Sequence, residues 1–317
     1  MIRHARAALA RYDLATVTSL RLINHSENVT YRVDTGDEKS FALRIHRDGY
    51  HDHAGIASEL AWLIDLRNTG VVTTPHPVAG IDGNLIQLVL SRHVVLFQWE
   101  QGREPGIAED LAQPFEALGE AAARMHLHVM QWRRPDWFTR HTWNFETALG
   151  DANPHWGRWR DGLGVTAEMT NIFARTVDII GKRLSAYGQS SERFGLVHGD
   201  LRLANLLVDD EQVKVIDFDD CGFSWFLYDA ATPVSFYEHE PQVPELMECW
   251  KSGYRRVREL SREDEAEIPT FIMLRRLLLV AWIGTRRDTD LAQSMGIKYS
   301  EGTVDLCERY LRTFTAS

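Results

Sequence analysis

A chain of 317 residues with 44% hydrophobic content has material for one large domain or two lobes around a sizeable core. Its formal net charge of −10 argues against nucleic acid as a partner and suits a cationic small molecule. Three separated cysteines (Cys221, Cys249 and Cys307) set up neither a disulfide framework nor a zinc site. The first residues lack the apolar run of a signal peptide. The longest apolar segment, residues 271–284, is interrupted by Arg275 and Arg276 and reads as too short to span a bilayer. The expectation is a cytoplasmic protein with no membrane partner.

A short helix is expected over residues 4–11. Residues 17–23, 29–33 and 41–45 are strand-like runs separated by turns at 24–28 and 34–39, which predicts a three-strand meander. Residues 54–68 show helical spacing at Leu60, Leu63 and Ile64, stop before Gly70 and carry Glu59. A further β-run over 94–97 ends in the polar stretch Gln98, Trp99, Glu100, Gln101 and Gly102. That has the form of a hinge between a lobe of residues 1–98 and a lobe of residues 99–317. Leu111, Phe115, Leu118, Ala122, Met125 and Val129 then recur every three or four residues, as in a long buried helix. His126 and His128 lie on it without metal-ligand neighbours and read as structural. Trp143, Trp156 and Trp159 mark an aromatic insert to which no chemistry attaches. The last third, residues 241–317, reads as helical, with a capping box formed by Ser261 and Asp264. Tyr237, Arg275, Arg276 and Trp282 fit either a ligand pocket or helix packing, and packing is the commoner use.

The densest information lies at residues 197–205, V-H-G-D-L-R-L-A-N, and 215–220, V-I-D-F-D-D. Asp200 is followed by Asn205 and then by Asp217. Two β-prone runs, 206–208 and 213–216, flank an acidic turn, so a hairpin is expected to bring Asn205 and Asp217 to one edge. Phosphoryl transfer from ATP needs a carboxylate for the proton of the attacking hydroxyl, plus an amide and a carboxylate to hold magnesium on the phosphates. The spacing follows the kinase pattern H-R-D-L-x-x-x-N and D-F-G, with Gly199 replacing Arg and Asp219 replacing the last Gly. Asp200 is therefore the expected base, Asn205 and Asp217 the expected metal ligands, and ATP and Mg2+ the expected cofactors.

That frame assigns the N-terminal meander to the nucleotide. No G-x-G-x-x-G is present, so residues 26–28, with Asn28, must supply the phosphate donors. Residues 41–44, F-A-L-R, stand where V-A-I-K stands in kinases, with Arg44 in place of lysine. A guanidinium can fork between two acceptors, and Glu59 is its expected partner. Gln98, Trp99 and Glu100 are expected beside the adenine, with Trp99 equally suited to lobe packing.

On residues 197–205, 215–220 and L-Y-D-A-A at 227–231, with lesser support from 42–45 and 96–102, the chain resembles the aminoglycoside phosphotransferase and choline kinase-like superfamily. It most resembles the bacterial branch containing type II homoserine kinase and stress-response kinase A. The resemblance implies an α+β, bilobal protein-kinase-like fold, with a small antiparallel β N-lobe and a larger, mostly helical C-lobe. It also implies that Asp229 ties a C-lobe helix to the catalytic loop. It leaves Asp219 and Asp220 open between touching metal or a cationic substrate and capping the loop. Three activities follow as candidates: a kinase for a small-molecule hydroxyl (amino alcohol, homoserine-like or aminoglycoside-like), a Ser/Thr protein kinase of the stress-response type, or a catalytically silent nucleotide-binding regulator. Intact Asp200, Asn205 and Asp217 argue against the last. The missing A-P-E segment and the short interval from Asp217 to Asp229 leave little room for an activation loop, which favours a small acceptor.

Overall fold

The computed structural model describes residues 1–25, 28–209 and 212–315. Two compact units emerge: residues 1–104, 133–140 and 207–219 form one, and residues 105–132, 141–206 and 220–317 the other.

The first unit opens with α1 (Ile2–Leu9), which ends two residues before the expected limit, and continues into β1 (Val17–His25), β2 (Val29–Thr35) and β3 (Ser40–Ile45). β2 buries Val29, Tyr31, Val33 and Thr35 in strict alternation, the period-two signature of a sheet with one face on a core. β1 is exposed except at half-buried Leu20 and shifts register twice against β2, as edge strands do to resist pairing with other chains. The turn expected over 24–28 is shorter: Asn24 and His25 remain paired in β1, opposite Thr30 and Val29, because the ladder still offers them partners. Ser26 and Glu27, expected in that turn, lie outside the described residues. The meander is part of a larger antiparallel sheet. After α2 (His53–Asn68) come β4 (Pro77–Val78), β5 (Ile86–Val89) and β6 (Arg92–Gln98), in the order β1-β2-β3-β6-β4 with β5 beside β6. Ala5, Ala8 and Tyr12 close its core over Leu43, Ile45, Val94 and Leu96.

The second unit is mostly helical. It contains α3 (Ala112–Gln131), α4 (Phe145–Leu149), α5 (Ala167–Tyr187), β7 (Phe194–Val197), then, past the β8 (Leu206–Asp209)/β9 (Gln212–Val215) hairpin, β10 (Gly222–Trp225), α6 (Tyr228–Ala231), α7 (Val243–Arg255), α8 (Arg262–Thr285) and α9 (Asp290–Thr315). α3 and α7 cross closely because Gly119 meets the Trp250 carbonyl and Gly253 the Glu116 carbonyl, where any side chain would collide.

α8 corrects the expectation of a short apolar segment. Ser261 accepts the Asp264 N–H and Asp264 returns to the Ser261 N–H, so the helix begins nine residues before Phe271 and runs for 24. By length and mean hydropathy (1.4) it is able to cross a membrane, yet 83% of its apolar window is buried in this protein. A helix apolar on all sides belongs in a core, and α8 packs against α5, α6 and α9.

Candidate active site

β7 delivers the chain to His198 and Gly199, where the backbone turns sharply. Gly199 has φ +82°, and a Cβ there would sit 2.6 Å from the Asp220 carbonyl, so only glycine fits. The turn is fastened from α6 by Asp229, which is fully buried. Its carboxylate accepts the backbone N–H of His198 (3.0 Å) and of Gly199 (2.8 Å). His126 of α3 adds its Nε2 at 3.2 Å to the same carboxylate and its Nδ1 at 3.1 Å to the Tyr254 hydroxyl. Burial lowers the His126 pKa despite the attraction of Asp229. The structural roles expected for Asp229 and His126 are thus present, and each has a physical basis.

This fastening presents Asp200. Its Oδ2 accepts from Arg202 Nε and from Asn205 Nδ2, both at 2.9 Å, while Oδ1 accepts from Arg275 Nη2 at 2.6 Å. Burial pushes the Asp200 carboxyl up, but the charges of Arg202 and Arg275 outweigh it and hold the pKa below the usual carboxylate range. Asn205 Nδ2 also donates to the Asp200 carbonyl at 2.8 Å. With its amide nitrogen committed, Asn205 has its carbonyl oxygen left for a ligand. Arg275 is the residue beside Asp200 that sequence reasoning left open between a pocket and helix packing. Its signal was chemical: two adjacent arginines inside an apolar helix must each find partners when buried. The neighbouring Arg276 finds them in Glu238 (2.6 Å), Thr303 and the Tyr299 carbonyl, a purely structural set. Tyr237 donates to the Pro233 carbonyl, and Trp282 is buried.

In the first unit, Arg44 on β3 forks as its chemistry allows. Nη1 reaches Glu59 of α2 at 2.6 Å, so the expected pair is formed, and Nη2 reaches Asp217 Oδ1 at 3.1 Å. Glu59 is fully buried, whereas the Asp217 side chain is 47% exposed on a residue with φ +61°. Left-handed backbone at a non-glycine residue is uncommon and concentrates where function over-determines geometry. Asp219, by contrast, is buried: its carboxylate faces His46 Nδ1 at 3.5 Å and His51 Nε2 at 4.0 Å, and its carbonyl accepts from His51 and Arg140. Burial raises its pKa, but His46 and Arg44 outweigh this and lower it. His46, His51 and Arg140 had no sequence signal, because their meeting is purely tertiary.

Other expected nucleotide residues occupy specific places. The Asn28 side-chain oxygen accepts the Arg47 backbone N–H at 2.9 Å, which fastens the start of β2 to the end of β3. The Gln98 N–H donates to the His76 carbonyl and the Trp99 N–H to the Ser40 carbonyl, while the Arg32 guanidinium stacks 4.6 Å from the Trp99 ring. Glu100 pairs with Arg67 (2.8 Å) and faces Lys214 (3.7 Å). The β8/β9 hairpin is formed as expected.

Residues 19–260 match the phosphotransferase enzyme family. A microcompartment-associated aminopropanol kinase of known structure is 44% identical, covers 100% of this chain with 99% of its own, and superposes with a TM-score of 0.92. An amicoumacin kinase solved with AMP-PNP, Ca2+ and Ami is 23% identical over 97% of this chain and 96% of that one, at a TM-score of 0.75, a likeness of fold. The homoserine kinase of Hyphomonas neptunium is 27% identical over 283 residues, which is 84% of this chain and 80% of that protein.

Proposed function

We propose, because the chain belongs to the phosphotransferase enzyme family, that it moves the γ-phosphoryl group of ATP to the hydroxyl of a short amino alcohol. One observation carries the transfer reading: a largely buried carboxylate, Asp200, is held below the usual carboxylate range by two arginines and bonded to the Asn205 amide. The amino-alcohol reading is supported by 44% identity along the whole chain to the aminopropanol kinase.

Asp200 then accepts the acceptor proton. Asn205 and Asp217 fit a magnesium ion: the first has an amide oxygen left over and the second an exposed carboxylate, both hard oxygen donors. When bound, the ion neutralises charge on the β- and γ-phosphates. Arg44, aimed by buried Glu59, supplies a fixed positive charge for phosphate oxygens. Gln98, Trp99 and Glu100 stand for adenine, and Asn28 for shaping the loop over the phosphates. Residues 1–98 are thus proposed as the nucleotide-binding lobe and 99–317 as the catalytic and acceptor lobe. Asp220, whose carbonyl lies against the Gly199 turn next to Asp200, is the carboxylate we assign to the acceptor ammonium. Asp219 is occupied by its histidines and takes a structural part.

The test is ADP release with a panel of amino alcohols, homoserine, aminoglycosides and protein substrates. Amino alcohols should give the highest kcat/KM, and Asp220→Asn should raise KM for them while leaving KM for ATP alone. A higher kcat/KM for homoserine, an aminoglycoside or a protein would overturn the acceptor, and no release with any would overturn the transfer.

A further inference from the structure

The proposed function has Asp200 receive the proton of an acceptor hydroxyl, and the inference rests on that reading. A carboxylate offers about four acceptor positions, two on each oxygen. On Asp200, Oδ2 takes two donors, Arg202 Nε and Asn205 Nδ2, whereas Oδ1 takes one, Arg275 Nη2. The remaining position therefore lies on Oδ1, beside a guanidinium nitrogen. We infer that the acceptor hydroxyl docks on Oδ1 of Asp200 with its oxygen against Nη2 of Arg275. Arg275 is then a second catalytic residue, stabilising the negative charge that builds on that oxygen.

The surroundings of Arg275 leave Nη2 in one place. Nε donates to Ser235 Oγ at 3.2 Å, and Nη1 donates to the Tyr228 hydroxyl at 2.9 Å and to the Gly199 carbonyl at 3.3 Å. The guanidinium lies 5.1 Å from the Trp156 ring, and the side chain is 3% exposed. The segment that grips Nε is itself held at a cost. Phe236, next to Ser235, sits at φ +79°, a genuine outlier for a bulky residue, with its ring against Trp282 and Tyr299. Stability alone does not account for a charge here, since an apolar residue in the middle of a core helix is often as stable as a buried ion pair. A charge aimed at the reacting oxygen does account for it.

In the step itself, the acceptor O–H bond breaks and its proton passes to Oδ1 of Asp200. A lone pair of the acceptor oxygen forms the bond to the γ-phosphorus. The bond from that phosphorus to the β,γ-bridging oxygen breaks, and its electrons leave with ADP. Asp200 releases the proton to solvent after the phosphoester departs, and nothing is oxidised or reduced.

The test compares wild type, Arg275→Met, Arg275→Lys and Arg275→Ala on the best amino alcohol, with MgATP affinity by calorimetry and thermal melts alongside. Arg275→Met should lower kcat about 100-fold or more, the size seen when one donor to a developing oxyanion is removed. MgATP affinity should stay within about twofold of wild type, as expected for a group that acts only in the transition state. Arg275→Lys should fall between, and added guanidinium ion should restore part of the kcat of Arg275→Ala. If Arg275→Met fails to fold, Tyr228→Phe removes only one bond to Nη1 and should lower kcat several-fold at constant KM for ATP. Wild-type kcat in Arg275→Met, or in Tyr228→Phe where that is the variant measured, would overturn the inference and leave the proposed function standing. A kcat loss matched by lost MgATP binding would overturn it too, by making Arg275 structural. A wild type silent on every amino alcohol would overturn the proposed function and this inference with it.

Discussion

Asp200 and Asp217 are both carboxylates on short irregular segments, yet the protein holds them in opposite ways. Asp200 is largely buried and receives three donors from two arginines and an amide, on a loop pinned by Asp229. Asp217 is 47% exposed, meets one guanidinium nitrogen at 3.1 Å, and sits on left-handed backbone. The difference suits the two tasks we propose for them. A base has to be ionised and oriented before the acceptor arrives, which the three donors on Asp200 would provide. A metal ligand has to keep lone pairs for the ion, as the exposed Asp217 carboxylate would.

The hardest test of this contrast is Asp200→Asn, which keeps the size and loses the base. Transfer should fall by about three orders of magnitude or more, the upper range for positioned acid–base groups, while calorimetry still shows MgATP binding. Substantial turnover would end the distinction between the two carboxylates. Asp217→Ala should cost roughly 3 kcal/mol or more in transition-state stabilisation, as electrostatic knockouts do. Unlike Asp200→Asn, it should also weaken magnesium binding, and Asn205→Ala should do so less because a neutral amide binds the ion more weakly. Magnesium titrations of the two variants check both statements.

The pinning of the Asp200 loop can be tested through stability. Asp229→Ala strips the partners from two buried backbone N–H groups, each costing about 1–3 kcal/mol when left unsatisfied. A drop in melting temperature should accompany the loss of activity, and an unchanged melt would mean that the loop is held by other contacts. The smallest effect belongs to Arg44. Arg44→Lys cannot reach Glu59 and a phosphate together, so KM for ATP should rise about tenfold, an energy of roughly 1.4 kcal/mol. Glu59→Gln should raise it less. A double-mutant cycle reads their coupling, and strictly additive effects would separate the pair functionally.

Much of this was legible in the chain. Alternating apolar residues in β2 and the three-to-four spacing of α3 each admit only one regular structure, and both formed. The spacing from Asp200 to Asn205 was readable because those groups are joined by a loop whose length is written in the sequence. The exchange between Arg44 and Glu59 was readable too, since a strand followed directly by a helix leaves few partners for a buried arginine. Asn28 shows the limit. An exposed-looking turn residue was expected at the phosphates, and its side-chain oxygen also accepts the Arg47 backbone N–H, a partner 19 residues away that turn chemistry does not reveal.

The sequence by itself determined the elements, the loop motif and the kind of chemistry, because those depend on period, turn residues and short spacings along one chain. Which charges meet was decided only by the tertiary structure. Arg275 is 75 residues from Asp200, and Arg140 is 79 from Asp219. At such separations propensity has nothing to say: a buried ion must have a partner, but packing alone chooses which one. Arg275 and Arg276 are adjacent in α8, yet one turns to Asp200 and the other to Glu238. Successive residues of a helix lie about 100° apart around its axis, so adjacent arginines face different neighbours.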